Sequence, residues 1–276
     1  MRRETQLATN MKFDETAFVQ GRRLALAKGI GKRIAVPLII ALVWEGTTRL
    51  GLIDPLFLPP LSGIFGAFLE TIRSGEFFEH LLPSLSRALR GYFLAGFLAV
   101  PLGFLFGWNR HVREYFGSLV EILRPVAPIS LIPLAILWLG IGDLSKVGII
   151  AWACFWPIFL NSILGVQSIN PVLIKSAMIM EIRGVRFFWK ILLPASLPQV
   201  FTGFRISLAI ALIVLVAAEM VGADRGLGYL ILESERTFRS PMMFVGIVSI
   251  AVIGYLLNEL ILWVERILFQ YREEIG

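Results

Sequence analysis

The chain has 276 residues, of which 57% are hydrophobic and 17% are charged, and its mean hydropathy is +0.76. This composition is more apolar than the core of a soluble protein of this length requires, so it excludes a soluble globular domain. The formal net charge is +6. We expect this basic excess to contact a membrane surface rather than nucleic acid.

The N-terminal part predicts a basic arm, one span and one surface helix. Residues 1–33 hold eight of the 26 basic side chains and three acids, and they lack the apolar core of a signal peptide. The first span is predicted at 34–52, where Glu45 and Arg49 lie four residues apart and are expected to pair. A proline-rich break follows, and an interfacial helix too polar to span is predicted at 64–78, which closes a first region, 34–78.

Residues 79–266 are predicted to form the main transmembrane domain, followed by a cytoplasmic tail at 267–276. Its five long apolar stretches predict helical spans near 85–108, 130–139, 147–166, 204–221 and 242–264. Prolines interrupt the chain before the third span, so a broken helix is expected there. Gly103 and Gly107 form a pair of small residues that predicts close approach of another helix. The predicted fold class is an all-α integral membrane protein with about six transmembrane helices.

The distribution of Lys and Arg predicts the orientation. With the N-terminus inside, 18 basic residues fall on the inner side and eight on the outer side. Because basic residues favour the cytoplasmic side of a membrane, both termini are predicted to be cytoplasmic. The protein is expected in the bacterial cytoplasmic (inner) membrane as a multi-pass protein.

The sequence offers no pattern for catalysis. The nearest approach to a phosphate-binding loop, residues 29–32, lacks the earlier glycine and the following Ser or Thr. Both histidines, His80 and His111, fall in predicted loops, and no cluster has the spacing of metal ligands. Cys154 is the single cysteine and is expected to pack as a small hydrophobe. We therefore expect no enzyme, no metal site and no cofactor in this chain.

Four residues are candidates for a path across the membrane. Glu219 is the acid placed deepest in an apolar stretch, where a charge is costly and suggests function. The alternative is that Glu219 reaches interfacial water or pairs with Arg225. Asn161 in the fourth span either lines the path or makes a hydrogen bond between helices. Pro128 and Ser130 lie at the break before the third span and are placed on the same path.

The polar stretch 171–194 is too long and too structured for a simple connection between spans. Asn170 and Pro171 have the residue types of a helix cap and of a first helical position. Two interpretations stay open: a docking element for a cytoplasmic partner, or an ordinary amphipathic surface helix.

Several motifs resemble those of one known family, the permeases of type I ABC importers in the sulfonate, taurine, nitrate and bicarbonate group. The resemblance covers nearly the whole chain. It is carried by Leu52-Ile53-Asp54-Pro55-Leu56-Phe57-Leu58-Pro59-Pro60, Arg124-Pro125-Val126-Ala127-Pro128 with Pro133, Gly140-Ile141-Gly142 with Ser145-Lys146, Val216-Ala217-Ala218-Glu219-Met220 and Gly226-Leu227-Gly228-Tyr229.

The resemblance implies that the stretch 171–194 is the loop that couples the permease to its ATPase. The family pattern is Glu-Ala-Ala, three residues, Gly, nine residues, then Ile-x-Leu-Pro. Ile191, Leu193 and Pro194 fit its end, whereas Glu181 stands where the glycine is expected. The implied ATPase-coupling residues are Lys175, Ser176, Ala177, Met180, Glu181, Arg183, Gly184 and Val185.

The resemblance also implies the partners and the mechanism. A second permease copy, as a homodimer, and two ATPase subunits that bind ATP and Mg would form the complex. An extracytoplasmic solute-binding protein would deliver a small anion, and the permease would move it inward by alternating access. The rival functions are a secondary transporter, which more often shows related halves, a scaffold subunit, or a type I permease for a non-anionic substrate.

Overall fold

A computed structural model describes residues 36–269, and all regular structure within them is helical. The chain divides into two compact units, Met1–Phe65 and Gly66–Gly276, which are described separately. The predicted arm at 1–33 and the tail beyond residue 269 lie outside the described residues.

The described part of the first unit contains helix α1 (36–49) and the start of helix α2 (Leu61–Ser74). The predicted pair is confirmed, since Arg49 Nε lies 2.7 Å from Glu45 Oε1, and Ser62 Oγ donates to the same carboxylate at 2.7 Å. No helix forms between α1 and α2, where the prolines prevent one.

The second unit contains the end of α2 and a series of longer helices. They are α3 (Glu76–Trp108), α4 (Arg110–Leu123), a 3₁₀ turn (Pro128–Leu131), α5 (Ile132–Leu139), α6 (Asp143–Gln167), α7 (Pro171–Ile179), α8 (Gly184–Phe187), a π-helical turn (Phe188–Leu192), α9 (Leu193–Gly222), α10 (Leu227–Arg236) and α11 (Ser240–Phe269).

Two predicted boundaries around residue 75 were wrong. The interfacial helix was expected to continue to residue 78, and the next span was expected to begin at residue 85. The structure ends α2 at Ser74 and begins α3 at Glu76, because Gly75 adopts a left-handed φ of 84° that breaks the helix between them. Helix α3 then continues through Pro83.

Four helical segments in residues 36–269 are long and apolar enough to cross a membrane. They are Glu76–Trp108, Asp143–Gln167, Gly184–Gly222 and Ser240–Leu268. A bent pair, Arg110–Leu123 with Pro128–Leu139, would make a fifth span, and its 82° bend confirms the predicted broken helix. The first predicted span, 34–52, lies partly outside the described residues, and its described helix ends at residue 49.

Helix α6 is the centre of the core, packed between α3 and α9. Its inward face includes Ile150, Cys154 and Ile158, none of which is exposed. The close approach predicted for Gly103 and Gly107 is confirmed, and the neighbour is α6. An added Cβ at Gly103 would lie 2.4 Å from the Ser162 Cβ, so only glycine allows this separation of the helix axes.

Candidate functional site

A buried polar cluster lies at the end of the second unit where α3 and α6 begin and α9 finishes. We call this group of side chains the buried cluster. The end of the helices at which it lies is called the cluster end. Three helices supply its side chains, which are buried apart from the 46% exposed Asp143 at its edge: Ser84 and Arg87 from α3, Asp143 and Lys146 from α6, and Glu219 from α9.

Glu219 is the best enclosed member of the buried cluster. Its side chain is 0% exposed, and its carboxylate accepts hydrogen bonds from three donors. Ser84 Oγ lies 2.8 Å from both oxygens, Arg87 Nη1 lies 2.8 Å from Oε1, and the Gly228 amide nitrogen lies 2.9 Å from Oε2. A carboxylate with this many donors is stable in a buried position, because hydrogen bonds replace the water it has lost.

Arg87 connects three parts of the chain. Its Nε donates to Asp143 Oδ1 at 2.7 Å, and its Nη1 donates to Glu219 and, at 2.6 Å, to the Arg225 carbonyl. Arg87 is therefore the ionic partner of Glu219, and Arg225 contributes a backbone oxygen to the network. Interfacial water is not the partner either, since the Glu219 side chain is fully enclosed.

The turn before α10 closes over the Glu219 carboxylate. A Cβ added at Gly226, whose φ is 138°, would lie 2.4 Å from the Glu219 Cδ. A Cβ added at Gly228 would lie 2.7 Å from the Val216 carbonyl oxygen. Leu227 donates its backbone N–H to Ser84 Oγ at 2.8 Å. The two glycines are thus required for backbone amides to reach the buried cluster.

Lys146 joins the same end of α6 to the end of α9. Its Nζ donates to the Gly142 carbonyl at 3.0 Å and to the Gly222 carbonyl at 2.7 Å. Gly222 is the last residue of α9, where carbonyl groups lack helical partners and attract a cation. The buried ammonium therefore stabilises the contact between two spans.

The other predicted path residues lie away from the buried cluster. Asn161 accepts a hydrogen bond from Gln199 Nε2 at 3.0 Å, so the predicted bond between helices is present, and it joins α6 to α9. Ser130 is exposed in the 3₁₀ turn, and Pro128 at its first position is half-buried. The structure therefore does not bring Glu219, Asn161, Pro128 and Ser130 into one site.

The segment 171–194, called the coupling segment below, begins as the sequence predicts. The Asn170 side chain accepts the Val172 backbone N–H at 2.9 Å, and Pro171 is the first residue of α7. Helix α7 ends at Ile179, among the implied coupling residues 175–185. Residues 180–183 connect it to α8, which starts at Gly184, so the implied coupling residues are divided between two helices.

A left-handed residue terminates α7. Ile182 donates its backbone N–H to the Ala177 carbonyl at 3.0 Å, and Glu181 donates its own to Met178 at 3.1 Å. These two bonds define a Schellman motif, whose penultimate residue is usually glycine. Here that residue is Glu181, with a φ of 55°.

The coupling segment exposes apolar side chains. Ile179 is 83% exposed, Met180 is 71% exposed and Val185 is 74% exposed. Its predicted contact residues Lys175, Ser176, Arg183 and Gly184 are exposed as well. Ala177 differs, since it is 1% exposed and faces its own chain. Such exposed apolar side chains fit both interpretations left open by the sequence, a docking element for a partner and a helix at the membrane surface.

Sequence reasoning found Glu219 but missed the side chains that hold it. Arg87 and Ser84 lie more than 130 positions away in the chain, at separations of 132 and 135 residues. One signal was present: Arg87 lies within the predicted span 85–108, where a cation requires a partner. That signal predicts a partner but does not identify it.

The family described as "Binding-protein-dependent transport system inner membrane component" matches residues 99–270. The chain belongs to this family. A proposed aliphatic sulfonates transport permease protein of Bacillus subtilis, SsuC, is 33% identical over 241 residues, which are 87% of each chain. The taurine transport system permease protein TauC of Escherichia coli is 32% identical over 86% of this chain and 88% of its own.

A more distant relative and a solved structure agree with this assignment. The nitrate import permease protein NrtB of Leptolyngbya laminosa is 28% identical over 67% of this chain and 66% of its own. An inward-facing structure of the MetNI methionine ABC transporter has the same fold, with a TM-score of 0.60 at 18% identity, over 70% of this chain and 95% of that chain. The predicted all-α fold class is confirmed, and so is the importer transmembrane fold that the resemblance implies. The protein is a multi-pass permease subunit of an ABC importer.

Proposed function

We propose that this permease subunit imports a small organic sulfonate. The observation that carries the proposal is the extent of similarity to SsuC and TauC, which covers 87% and 86% of this chain. The similarity to the nitrate permease is lower, at 28% identity over 67% of the chain. The alternative substrates are nitrate, bicarbonate, or a molecule without negative charge.

The complex we propose contains two copies of this permease, two ATPase subunits and one extracytoplasmic binding protein. ATP and Mg would be held by the ATPase subunits, and this chain would supply the path by alternating access. The family description itself names dependence on a binding protein, which supports that partner. With both termini in the cytoplasm, the cluster end faces outward and the coupling segment faces the ATPase.

Two features support docking of an ATPase at the coupling segment. Its exposed apolar residues, such as Ile179 and Met180, offer an interface core, and Lys175 and Arg183 flank them. The segment also continues without a break from α8 through the π turn into α9, so that one helical stretch runs from Gly184 to Gly222. A displacement at the coupling segment would therefore reach the buried cluster.

In this conformation Glu219 would act on the path indirectly. Its carboxylate is enclosed, so we propose that it holds α3, α9 and the start of α10 together at the outer mouth. Asn161, Pro128 and Ser130 stay candidates for side chains that line the path itself.

Uptake by the reconstituted complex tests the proposed function. The permease, its ATPase and its binding protein would be placed in liposomes, and uptake of labelled taurine, an alkanesulfonate, nitrate, bicarbonate and methionine would be measured with and without ATP. We expect ATP-dependent uptake of a sulfonate. Uptake without ATP would instead identify a secondary transporter, and ATP-dependent uptake of nitrate alone would correct the substrate.

Labelling of single cysteines tests the orientation. Ser176→Cys in the coupling segment and Glu235→Cys near the end of α10 both place the thiol at an exposed position, while the native Cys154 is fully buried. An impermeant reagent added to intact cells should label Glu235→Cys and leave Ser176→Cys unlabelled. The reverse pattern would overturn the orientation.

A further inference from the structure

Glu181 holds a backbone conformation that ordinarily belongs to glycine. Its φ is 55°, and within residues 36–269 Phe238 is the only other non-glycine residue with a positive φ. In this conformation the Cβ crowds the following carbonyl oxygen, which disfavours every residue except glycine and, to a lesser degree, Asn and Asp. A glycine at position 181 would make the same Schellman hydrogen bonds without that crowding. Phe238 holds the same conformation, so the strain alone assigns no function, and the charge of Glu181 is what distinguishes the two positions.

The Glu181 carboxylate makes no polar contact within residues 36–269. It is exposed, and no hydrogen bond or ion pair to its carboxylate is present in the part of the protein that the structure describes. It is also the only acid between residues 171 and 194, a stretch that contains the four basic residues Lys175, Arg183, Arg186 and Lys190. Its negative charge is therefore available to a partner.

We propose that Glu181 is an interface residue whose carboxylate binds an Arg or Lys side chain of the ATPase subunit. This inference rests on the coupling role proposed above and adds the charge that the ATPase must present. A membrane surface would attract the four basic residues of the segment but repel this carboxylate, so a lipid headgroup is not the partner of Glu181 itself. The exposed Ile179 and Met180 lie just before Glu181, so the complementary surface is an apolar groove with a basic residue at its edge.

The affinity of the ATPase for the permease tests this inference. The permease would be held in lipid nanodiscs, and ATPase binding would be titrated at low and at high salt. Glu181→Gln keeps the size and the backbone conformation but removes the charge, so it should weaken binding about tenfold or more and reduce its salt dependence. Glu181→Gly removes the strain as well, so it should weaken binding equally while raising the Tm of the free permease.

Phe238→Gly is the matched control. It relieves the same left-handed strain in the turn after α10, outside the coupling segment. We expect a higher Tm and unchanged ATPase affinity.

Two results would overturn the inference. Wild-type affinity and salt dependence in Glu181→Gln would exclude a carboxylate contact. If Glu181→Gly weakened ATPase binding and Glu181→Gln did not, the backbone conformation rather than the carboxylate would be responsible. Ser176→Trp adds bulk to the exposed face of α7. It distinguishes a failure of the Glu181 contact from a failure of the coupling role. If it abolishes binding while Glu181→Gln does not, the coupling role stands and the Glu181 contact fails; if neither variant has an effect, both fail.

Discussion

The cluster end and the coupling segment lie at opposite ends of α6 and α9, and they treat charge in opposite ways. At the cluster end, Glu219 and Arg87 are buried and their hydrogen bonds are made within the chain. In the coupling segment, Lys175, Glu181 and Arg183 are exposed and apolar side chains lie beside them. Buried polar groups that bond to one another hold helices in fixed positions, whereas exposed side chains place no such constraint on their surroundings. The two ends therefore differ in rigidity, and only the coupling segment has charged and apolar side chains free to meet the partner proposed above.

Removal of one partner from the Glu219–Arg87 pair is expected to have the largest effect. Glu219→Leu leaves the Arg87 guanidinium buried at 5% side-chain exposure with only Asp143 as an ionic partner. We expect a loss of about 3–5 kcal/mol in the free energy of unfolding, because the remaining buried charge is poorly compensated. Thermal unfolding of the purified permease in detergent would show a lower Tm and a lower yield.

A double variant distinguishes the lost pair from lost packing. Arg87→Leu with Glu219→Leu replaces both charges by apolar side chains and should recover most of the stability. Glu219→Gln keeps the shape but turns an amide donor towards other donors, so it should also destabilise, and it should impair transport. The exposed Glu233→Gln in α10 is the control and should leave Tm unchanged. Wild-type stability in Glu219→Leu would show that the buried cluster does not fix this end.

Gly228→Ala tests the closed turn over the carboxylate. The added Cβ would lie 2.7 Å from the Val216 carbonyl oxygen and 2.8 Å from the Glu219 Cβ, so α10 must move away from α9. We expect a loss of about 1–3 kcal/mol, as for other overpacked cores.

Gly117→Ala in α4 is the matched control for Gly228→Ala. No atom lies within 4 Å of a Cβ added at Gly117, so alanine should stabilise that helix by about 0.5–1 kcal/mol. Equal Tm values for the two variants would contradict the tight packing of the turn.

Ser176→Trp tests the opposite end, with a smaller effect on the fold. Ser176 is exposed on α7, so the indole would extend towards a partner without disturbing the chain. We expect an unchanged Tm and at least a tenfold loss of ATPase affinity, measured by titration in nanodiscs. Retained affinity together with wild-type ATPase stimulation would place the coupling site elsewhere on the protein.

Ala177→Trp tests a buried position next to the exposed Ser176. Ala177 is the small residue that matches the family pattern, but at 1% exposure it packs inside its own chain. A tryptophan there should lower the Tm first and affect docking only as a consequence. The two neighbouring positions thus separate folding from binding.

The sequence predicted the features that depend on local pattern. Long apolar stretches fix the central residues of the spans, and the prolines near residue 128 predict the bent pair. The helix start at Asn170 follows from capping chemistry, and the contact at Gly103 follows from the spacing of small residues. Each of these depends on residues that are close together in the chain.

The features that the sequence did not predict depend on residues far apart or on backbone conformation. Arg87 and Glu219 are 132 positions apart, and no local period connects them. Helix α10 was not predicted, because its ten residues combine apolar and charged side chains and are too few to form a span. The left-handed φ at Glu181 was hidden because glycine, the usual signal for it, is absent there.

The helical stretch from Gly184 to Gly222 is long compared with the thickness of a membrane. Its 39 residues, at a rise of about 1.5 Å each, make a rod of about 58 Å, nearly twice the ~30 Å thickness of the hydrocarbon layer. The helix is therefore longer than a single crossing of the hydrocarbon layer requires. The π turn at Phe188–Leu192 lies near the Gly184 end of this stretch, at a place where the regular α-helical hydrogen bonding changes. Under the coupling role proposed above, a movement at Gly184 would be carried along this helix to Glu219, which is hydrogen-bonded to α3 and to the start of α10.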